Sequence, residues 1–132
     1  METRDKFIIS LRGESLGTID SQSSSEEKFQ NQTLRPILKL QNDLFIEVFV
    51  NHISKHKNDF YNYAIEKKLQ FIENTIQKDI KFRNSLKGII IGLFTIDEYA
   101  EYIKNSSSLN KRMMNMLIER LKSQVQIFDD NK

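Results

Sequence analysis

The sequence predicts an all-α fold, a single-domain helical bundle of four to six helices. Its 132 residues include one proline and four glycines, and no Asn-Gly or Asp-Gly pair is present to close a β-hairpin. Apolar residues recur three and four positions apart along most of the chain, which is the period of a helical face. A chain of this length buries about two-thirds of the surface that its unfolded form exposes, so one hydrophobic core is sufficient.

The N-terminal segment is predicted to stand apart from the bundle. Residues 1–24 are low in hydrophobicity and run into the serine-rich stretch GTIDSQSSS, a composition typical of a mobile arm. A short helix around residues 7–11 is the only element that we expect there. The predicted division is therefore a mobile arm at residues 1–24 and a helical bundle domain at residues 25–132.

The first helix of the bundle is predicted to open at a capping box. Ser23 with Glu26, and equally Ser24 with Glu27, has the spacing in which each side chain hydrogen-bonds the backbone amide of the other residue. Pro36 is expected to interrupt this helix or to restart it, because proline lacks the amide hydrogen and its ring clashes with the preceding turn.

Two further helices are predicted before the centre of the chain and one at its end. Apolar spacing indicates helices over residues 37–56 and 64–78, with the polar segment KHKNDFYNY as the turn between them. A final helix is expected over residues 109–128, and Ser108 is its expected cap. The serines before it are typical of a loop.

A buried central helix is predicted over residues 80–94, with Asp79 as its cap. Its first half is amphipathic, because Phe82 and Leu86 share one face while charged residues occupy another. After Lys87 every residue up to Phe94 is apolar or glycine, a pattern typical of a helix that is surrounded by protein. A short helix follows, for which Thr95 to Glu98 supply a second capping box.

A stripe of small residues runs along this central helix. Ser85, Gly88, Gly92 and Thr95 are spaced so that they share one helical face, where another backbone can approach closely. We expect the backbone of another helix, either the one over residues 37–53 or the C-terminal one, to pack against this stripe inside the domain. A groove for a ligand or a partner remains the alternative, because helix glycines also serve such sites.

Three residues are weak candidates for metal ligands. His52 and His56 are one helical turn apart, and Asp59 follows within one more turn if the helix continues. Lys55 and Lys57 stand beside them and disfavour a divalent cation. The alternative is a pair of exposed histidines near a helix C-terminus, a position that suits their charge.

The C-terminal part of the chain is mildly basic. Residues 78–132 carry ten basic and seven acidic groups, whereas the formal net charge of the whole protein is +2. If the central and final helices lie side by side, their cations form a possible anion-binding face. This face comprises Lys78, Lys81, Arg83, Lys87, Lys111 and Arg112, with Lys104, Arg120 and Lys122 near them in sequence. A solvated helix surface explains the same residues equally well.

No catalytic residue or cofactor motif is identified. Cysteine is absent, and no Gly-x-Ser-x-Gly elbow or glycine-rich phosphate loop is present. The longest nearly uncharged apolar run, residues 88–96, is far shorter than the roughly 20 residues that span a bilayer. Together with the lack of a secretory signal pattern, this indicates a cytoplasmic protein without a membrane partner.

Three segments carry a family resemblance. The stretches FQNQTLRPILKLQNDLF, QKDIKFRNSLKGIIIGLFT and LNKRMMNMLIERLKSQ resemble a small, uncharacterised bacterial helical family whose members are often named "glyoxalase". The resemblance covers about residues 26–124 and implies an ordered helical domain. Metal-dependent glyoxalases place histidine and glutamate ligands on strands, a pattern that this sequence lacks, so no glyoxalase residue is carried over.

The expected function is that of a small helical interaction or regulatory module. Broad apolar faces around Pro36 and on the last helix favour self-association, as a homodimer, or binding to another protein. One alternative is a nucleic-acid-binding protein that uses the basic face. The other is a small-molecule-binding or glyoxalase-like enzyme, which the family name implies.

Overall fold

The computed structural model describes residues 2–13 and 24–130 of the chain, and these residues contain no β-strand, so the predicted all-α class is confirmed. The helices are α1 (Glu2–Arg12), α2 (Ser25–Phe29), α3 (Arg35–Leu40), α4 (Asn42–Lys55), α5 (Ile65–Lys78), α6 (Ile80–Ile91), α7 (Ile96–Ile103) and α8 (Ser106–Ser123). A π-helical turn at Gln30–Leu34 joins α2 to α3, and 3-10 turns occupy Phe60–Asn62 and Val125–Asp130. Within the described residues, every helix is too short or too polar to cross a bilayer.

The core lies where α5, α6 and α8 pack against one another. Each of these helices contributes fully buried apolar side chains, among them Ile72, Leu86 and Leu117. An aromatic cluster extends the core at one end, because the ring of Phe128 lies 5.4 Å from that of Phe49 and 5.8 Å from that of Phe60. The 3-10 turn that carries Phe128 thereby closes the core beyond the end of α8.

Helix α6 packs against both α5 and α8, but protein does not surround its second half. Gly88 and Gly92 are exposed, and Lys87 and Ile91 are only partly buried. The helix is therefore amphipathic to its end, and the prediction that residues after Lys87 are enclosed is wrong. The buried face is the predicted one, with Leu86 and its neighbours one turn away on either side.

Helix α1 belongs to the bundle. Ile8 is buried, and the guanidinium of Arg4 donates hydrogen bonds to the backbone carbonyls of Phe94 at 2.9 Å and Gly92 at 3.1 Å. Asp5 accepts from the backbone amide of Ile96 at 3.2 Å. The predicted mobile arm is thus wrong for residues 2–13, although a helix in this region was expected.

The rest of the predicted arm, residues 14–23, lies outside the described residues, as do residue 1 and residues 131–132.

A buried ion pair joins α1 to the start of α7. Arg12 donates to both carboxylate oxygens of Glu98, and the Thr33 hydroxyl donates to one of them at 2.6 Å. Glu98 also accepts from the backbone amide of Thr95, whose side chain in turn caps the helix, so the predicted capping box is confirmed. Burial raises the pKa of Glu98, but these hydrogen bonds outweigh it and hold the pKa below its ordinary value.

The chain stays helical through Pro36. Ser24 caps α2 and accepts from the backbone amide of Glu27, which confirms the second of the two predicted starts. Only this half of the predicted capping box forms, because the Glu27 carboxylate accepts from the Ser24 hydroxyl and not from the Ser24 amide. In the π-helical turn, the amide of Arg35 bonds the carbonyl of Gln30, five residues earlier, and α3 then begins with Pro36 in its first turn. Proline is tolerated there because a first-turn amide has no partner within its own helix.

Two further predicted caps have different outcomes. Asp79 caps α6, and its carboxylate accepts from the amide of Phe82 at 3.1 Å, as expected. Ser108 is not a cap, because α8 begins at Ser106 and the Ser108 hydroxyl instead donates to the carboxylate of Glu26. Ser108 therefore ties the last long helix to α2.

Candidate functional site

A basic cavity lies between α6 and α8, beside the C-terminal end of α5. Its volume is about 340 Å³. It is lined by Gln77, Arg83, Lys87, Ser107, Asn110, Lys111, Met114 and Asn115. Three of these residues are cations, and none is acidic. The central and final helices therefore lie side by side, as the predicted face requires, and their cations are concentrated in a concave surface.

The three cations come from two helices. Arg83 and Lys87 are one turn apart on α6, and Lys111 enters the cavity from α8. Arg83 is held in place by its Nη1, which donates to the backbone carbonyl of Gln77 at 2.7 Å. Within the described part of the chain, none of the three cations forms an ion pair with a carboxylate. Like charges one turn apart repel by a few tenths of a kcal/mol, so a bound anion would relieve them.

Neutral donors complete the lining of the basic cavity. The hydroxyl of Tyr102 donates to Oδ1 of Asn110 at 2.6 Å, which fixes the amide and leaves its NH₂ group as a donor. Ser107 and Asn115 add a hydroxyl and a second amide, and the buried Met114 supplies an apolar surface. This set of groups suits an anionic head group attached to a small apolar or polar body.

The remaining residues of the predicted anion-binding face lie elsewhere. Arg112 pairs with Glu26 at 3.3 Å and donates to the side chain of Gln30 at 2.8 Å, so it joins α8 to α2. Lys78 lines a different cavity, described below. Lys81 is exposed on α6, about 120° around the helix from Lys87. The prediction of one face is therefore wrong for these three residues, because none of them lines the basic cavity.

A second cavity was missed by the sequence analysis. It has a volume of about 620 Å³ and is lined by Arg35, Leu38, Asn115, Met116, Glu119, Arg120, Ser123 and Gln124. Burial, and then the neighbouring charge of Arg35, lowers the pKa of Arg120. Asn115 lines both this cavity and the basic cavity. No local pattern places Arg35 near α8, so only the tertiary fold reveals this site.

A histidine cluster lies where the end of α4 meets the start of α6. It consists of His52, His56 and Asp79, whose potential ligand atoms all lie within 4.8 Å of one another. His52 Nε2 is 3.5 Å from Asp79 Oδ2. The predicted carboxylate, Asp59, is not part of the cluster, because α4 ends at Lys55 and the chain leaves the helical path there. Asp79, which was predicted only as a cap, takes its place.

The two histidines of the cluster have different surroundings. The ring of His52 stacks on Phe82, with centroids 3.8 Å apart and planes 12° apart. Burial lowers the pKa of His52, as does the neighbouring His56, and the charge of Asp79 opposes both effects. His56 is exposed, and its Nδ1 lies 2.8 Å from the backbone carbonyl oxygen of His52. A cavity of about 430 Å³ adjoins the cluster.

The predicted small-residue groove is not packed against another helix. A Cβ built on Gly88 has no heavy atom of a described residue within 4 Å beyond its own helix, and Ser85 and Gly92 are also exposed. The predicted close approach of α4 or α8 is therefore wrong. Only Thr95 is buried, where it caps α7. Glycine spacing alone missed the exposure because it reports a shared face and not what lies opposite.

Comparisons with known proteins leave the family open. No protein-family model matches the chain, no curated protein matches it, and no solved structure matches it. The resemblance to the glyoxalase-named family therefore stays a prediction.

Proposed function

We propose that the protein is a small helical interaction module that binds a small phosphate-bearing ligand in the basic cavity. The supporting observation is the convergence of Arg83, Lys87 and Lys111 in a concave site whose described lining residues include no carboxylate. Its volume of about 340 Å³ falls at the lower end of the range typical of small-molecule sites.

A phosphate group matches the donors of the cavity better than a carboxylate does. Arg83 offers a planar fork that can bond two oxygens at once, whereas Lys87 and Lys111 act as point charges on either side. A phosphate monoester carries close to two negative charges near neutral pH, and three cations compensate that charge. Asn110 is already oriented by Tyr102, so its amide needs little reordering when the ligand binds.

The test is a calorimetric titration of the full chain with inorganic phosphate and with a nucleoside monophosphate, at constant ionic strength. We expect saturable one-to-one binding by the wild-type protein. Lys111→Gln and Arg83→Gln should each weaken binding about tenfold or more, because a charge-assisted hydrogen bond contributes about 1.5 to 3 kcal/mol. Lys81→Gln is the matched control, since Lys81 lies on α6 outside the cavity.

Two outcomes would overturn this proposal. One is the absence of binding up to about 10 mM ligand, which corresponds to a binding free energy of less than about 3 kcal/mol in magnitude. The other is equal weakening of ligand binding by Lys81→Gln and Lys111→Gln, which would indicate diffuse charge attraction.

A titration with a single-stranded oligonucleotide tests the nucleic-acid alternative, because the neighbouring cavity adds Arg35 and Arg120. If the oligonucleotide binds with steep salt dependence and phosphate does not, the ligand is a nucleic acid.

A second candidate function is self-association through α7, because the apolar faces around Pro36 and on the last helix, from which we expected self-association, are buried within the chain. Ile96, Tyr99 and Ile103 are spaced along one face of this helix and are 42%, 47% and 57% exposed. A contiguous apolar stripe on a surface helix is typical of a contact site for another protein chain. Light scattering coupled to gel filtration should give twice the chain mass of 15.6 kDa for the wild type, and the chain mass for Ile103→Glu. A wild-type monomer at high concentration would exclude this function.

A further inference from the structure

We propose that His52, His56 and Asp79 bind a divalent first-row transition-metal ion of the Zn²⁺ type. The site lies at the junction of α4 and α6 and is separate from the basic cavity. His52 lies in the last turn of α4, His56 directly follows this helix as its C-terminal cap, and Asp79 is the residue that caps α6. Two imidazoles and one carboxylate are a ligand set that zinc sites use, with a further position left open.

The spacing of the ligand atoms is close to what such an ion requires. A tetrahedral ion with bonds of about 2.1 Å holds its ligand atoms about 3.4 Å apart. His52 Nε2 and Asp79 Oδ2 are already 3.5 Å apart. All three potential ligand atoms lie within 4.8 Å of one another, and the third belongs to His56, which is exposed. Little rearrangement is therefore needed to close the site.

Hydrogen bonds and packing hold two of the ligands before the ion arrives. Asp79 accepts from the amide of Phe82 with Oδ1, which leaves Oδ2 directed at His52. The His52 ring is held by its stacking on Phe82. His56 can donate its Nδ1 hydrogen to the carbonyl of His52 at 2.8 Å, so that Nε2 carries the free lone pair. Metal-binding histidines usually donate their second ring nitrogen in this way.

The chemistry of the site favours nitrogen-preferring ions over Mg²⁺ or Ca²⁺. Those two ions take mainly oxygen ligands, and the cluster offers only one carboxylate. Lys57 and Lys78 line the adjoining cavity and oppose a cation, which limits the affinity. The same cavity, of about 430 Å³, leaves room for a water molecule or another small ligand at the open position. The expected site is therefore selective for transition metals and of moderate strength.

The experiment titrates the untagged full-length protein with ZnCl₂ by calorimetry and with CoCl₂ by visible absorption. The intensity of the Co²⁺ bands reports tetrahedral coordination. We expect one ion per chain, a raised melting temperature with zinc, and no response to Mg²⁺. His56→Gln and Asp79→Asn should each weaken zinc binding by about tenfold or more, because loss of a direct ligand costs at least as much as loss of an outer-shell partner. Asparagine is a good helix cap, so Asp79→Asn is expected to remain folded, and circular dichroism checks this.

Asp59→Asn is the matched control, because Asp59 lies in the turn after α4 and outside the cluster. It should bind zinc as the wild type does. The proposal is overturned if the wild type binds no zinc, or if His56→Gln and Asp79→Asn bind it as tightly as the wild type. It is also overturned if Asp59→Asn weakens binding as much as Asp79→Asn. Lys111→Gln should leave zinc binding unchanged, which keeps this test independent of the ligand proposed for the basic cavity.

Discussion

The guanidinium of Arg12 donates two hydrogen bonds to the carboxylate of Glu98, at 2.5 and 2.8 Å, and so joins α1 to the first turn of α7. The Arg12 side chain is only 3% exposed. Removing one member of such a pair leaves the other charge buried without a partner, which costs far more than the net contribution of the intact pair. The two residues therefore act as one unit in the stability of the bundle.

The first prediction concerns this ion pair. Glu98→Gln keeps the shape of the side chain but removes its charge, so we expect the free energy of unfolding to fall by about 3 kcal/mol. Urea melts followed by circular dichroism measure the change. Glu101→Gln, on the exposed side of the same helix, is the control and should change stability by no more than about 0.5 kcal/mol. Equal effects of the two substitutions would contradict the role of the pair.

The second prediction concerns acid. The pKa of Glu98 in the folded protein lies below its ordinary value of 4.5, because the hydrogen bonds that it accepts outweigh the effect of burial. The stability that ionised Glu98 contributes is therefore present above the unfolded pKa and is lost as pH falls through the folded pKa. Urea melts from about pH 7 to about pH 3 measure the free energy of unfolding of the wild type and of Glu98→Gln. The difference between these two free energies should become smaller below about pH 4.5. A constant gap would contradict the assignment.

The third prediction concerns Gly88 in α6 and Gly92, the residue that directly follows this helix. Gly88→Ala should raise the free energy of unfolding by about 1 kcal/mol, because alanine is the better helix former and its Cβ meets open space. Gly92→Ala should raise the free energy of unfolding by less, because its Cβ would lie 3.2 Å from the carbonyl oxygen of Gly88. Thermal and urea melts at one protein concentration compare them. A loss of stability in Gly88→Ala would indicate a partner on this face.

The fourth prediction concerns the aromatic cluster at the C-terminal end. Phe128→Ala should lower the free energy of unfolding by about 3 to 5 kcal/mol, because the fully buried ring packs against Phe49 and Phe60 and leaves a cavity when it is removed. Ile127→Ala is the control and should have a much smaller effect, because Ile127 is exposed. If both variants melt like the wild type, the last 3-10 turn does not contribute to the core.

Local signals predicted much of the fold. The Thr95 to Glu98 capping box and the Asp79 cap were found from the sequence because donor and acceptor lie within one helical turn, where spacing alone sets their distance. The same holds for the buried face of α6. A periodic pattern of apolar residues reports which side of a helix faces the core, whatever the core contains.

Contacts between distant residues were not predictable in this way. Asp79 replaces Asp59 in the histidine cluster because the end of α4 and the packing of α6 decide which carboxylate arrives there. Arg112 does not line the basic cavity but pairs with Glu26, a residue far away in sequence. The docking of α1 includes the ion pair of Arg12 with Glu98, a residue far away in sequence, and the average composition of residues 1–24 does not reveal this contact.

The attachment of α1 also affects the order in which the helices dock during folding. Arg4 and Arg12 donate hydrogen bonds to the carbonyls of Gly92, Leu93 and Phe94, so the docking of α1 depends on residues that are synthesised much later than α1 itself. Bringing such distant segments together carries an entropic cost of loop closure. Helix α1 should therefore be the last to dock, and its backbone amides should exchange with deuterium sooner than those of α5, α6 and α8.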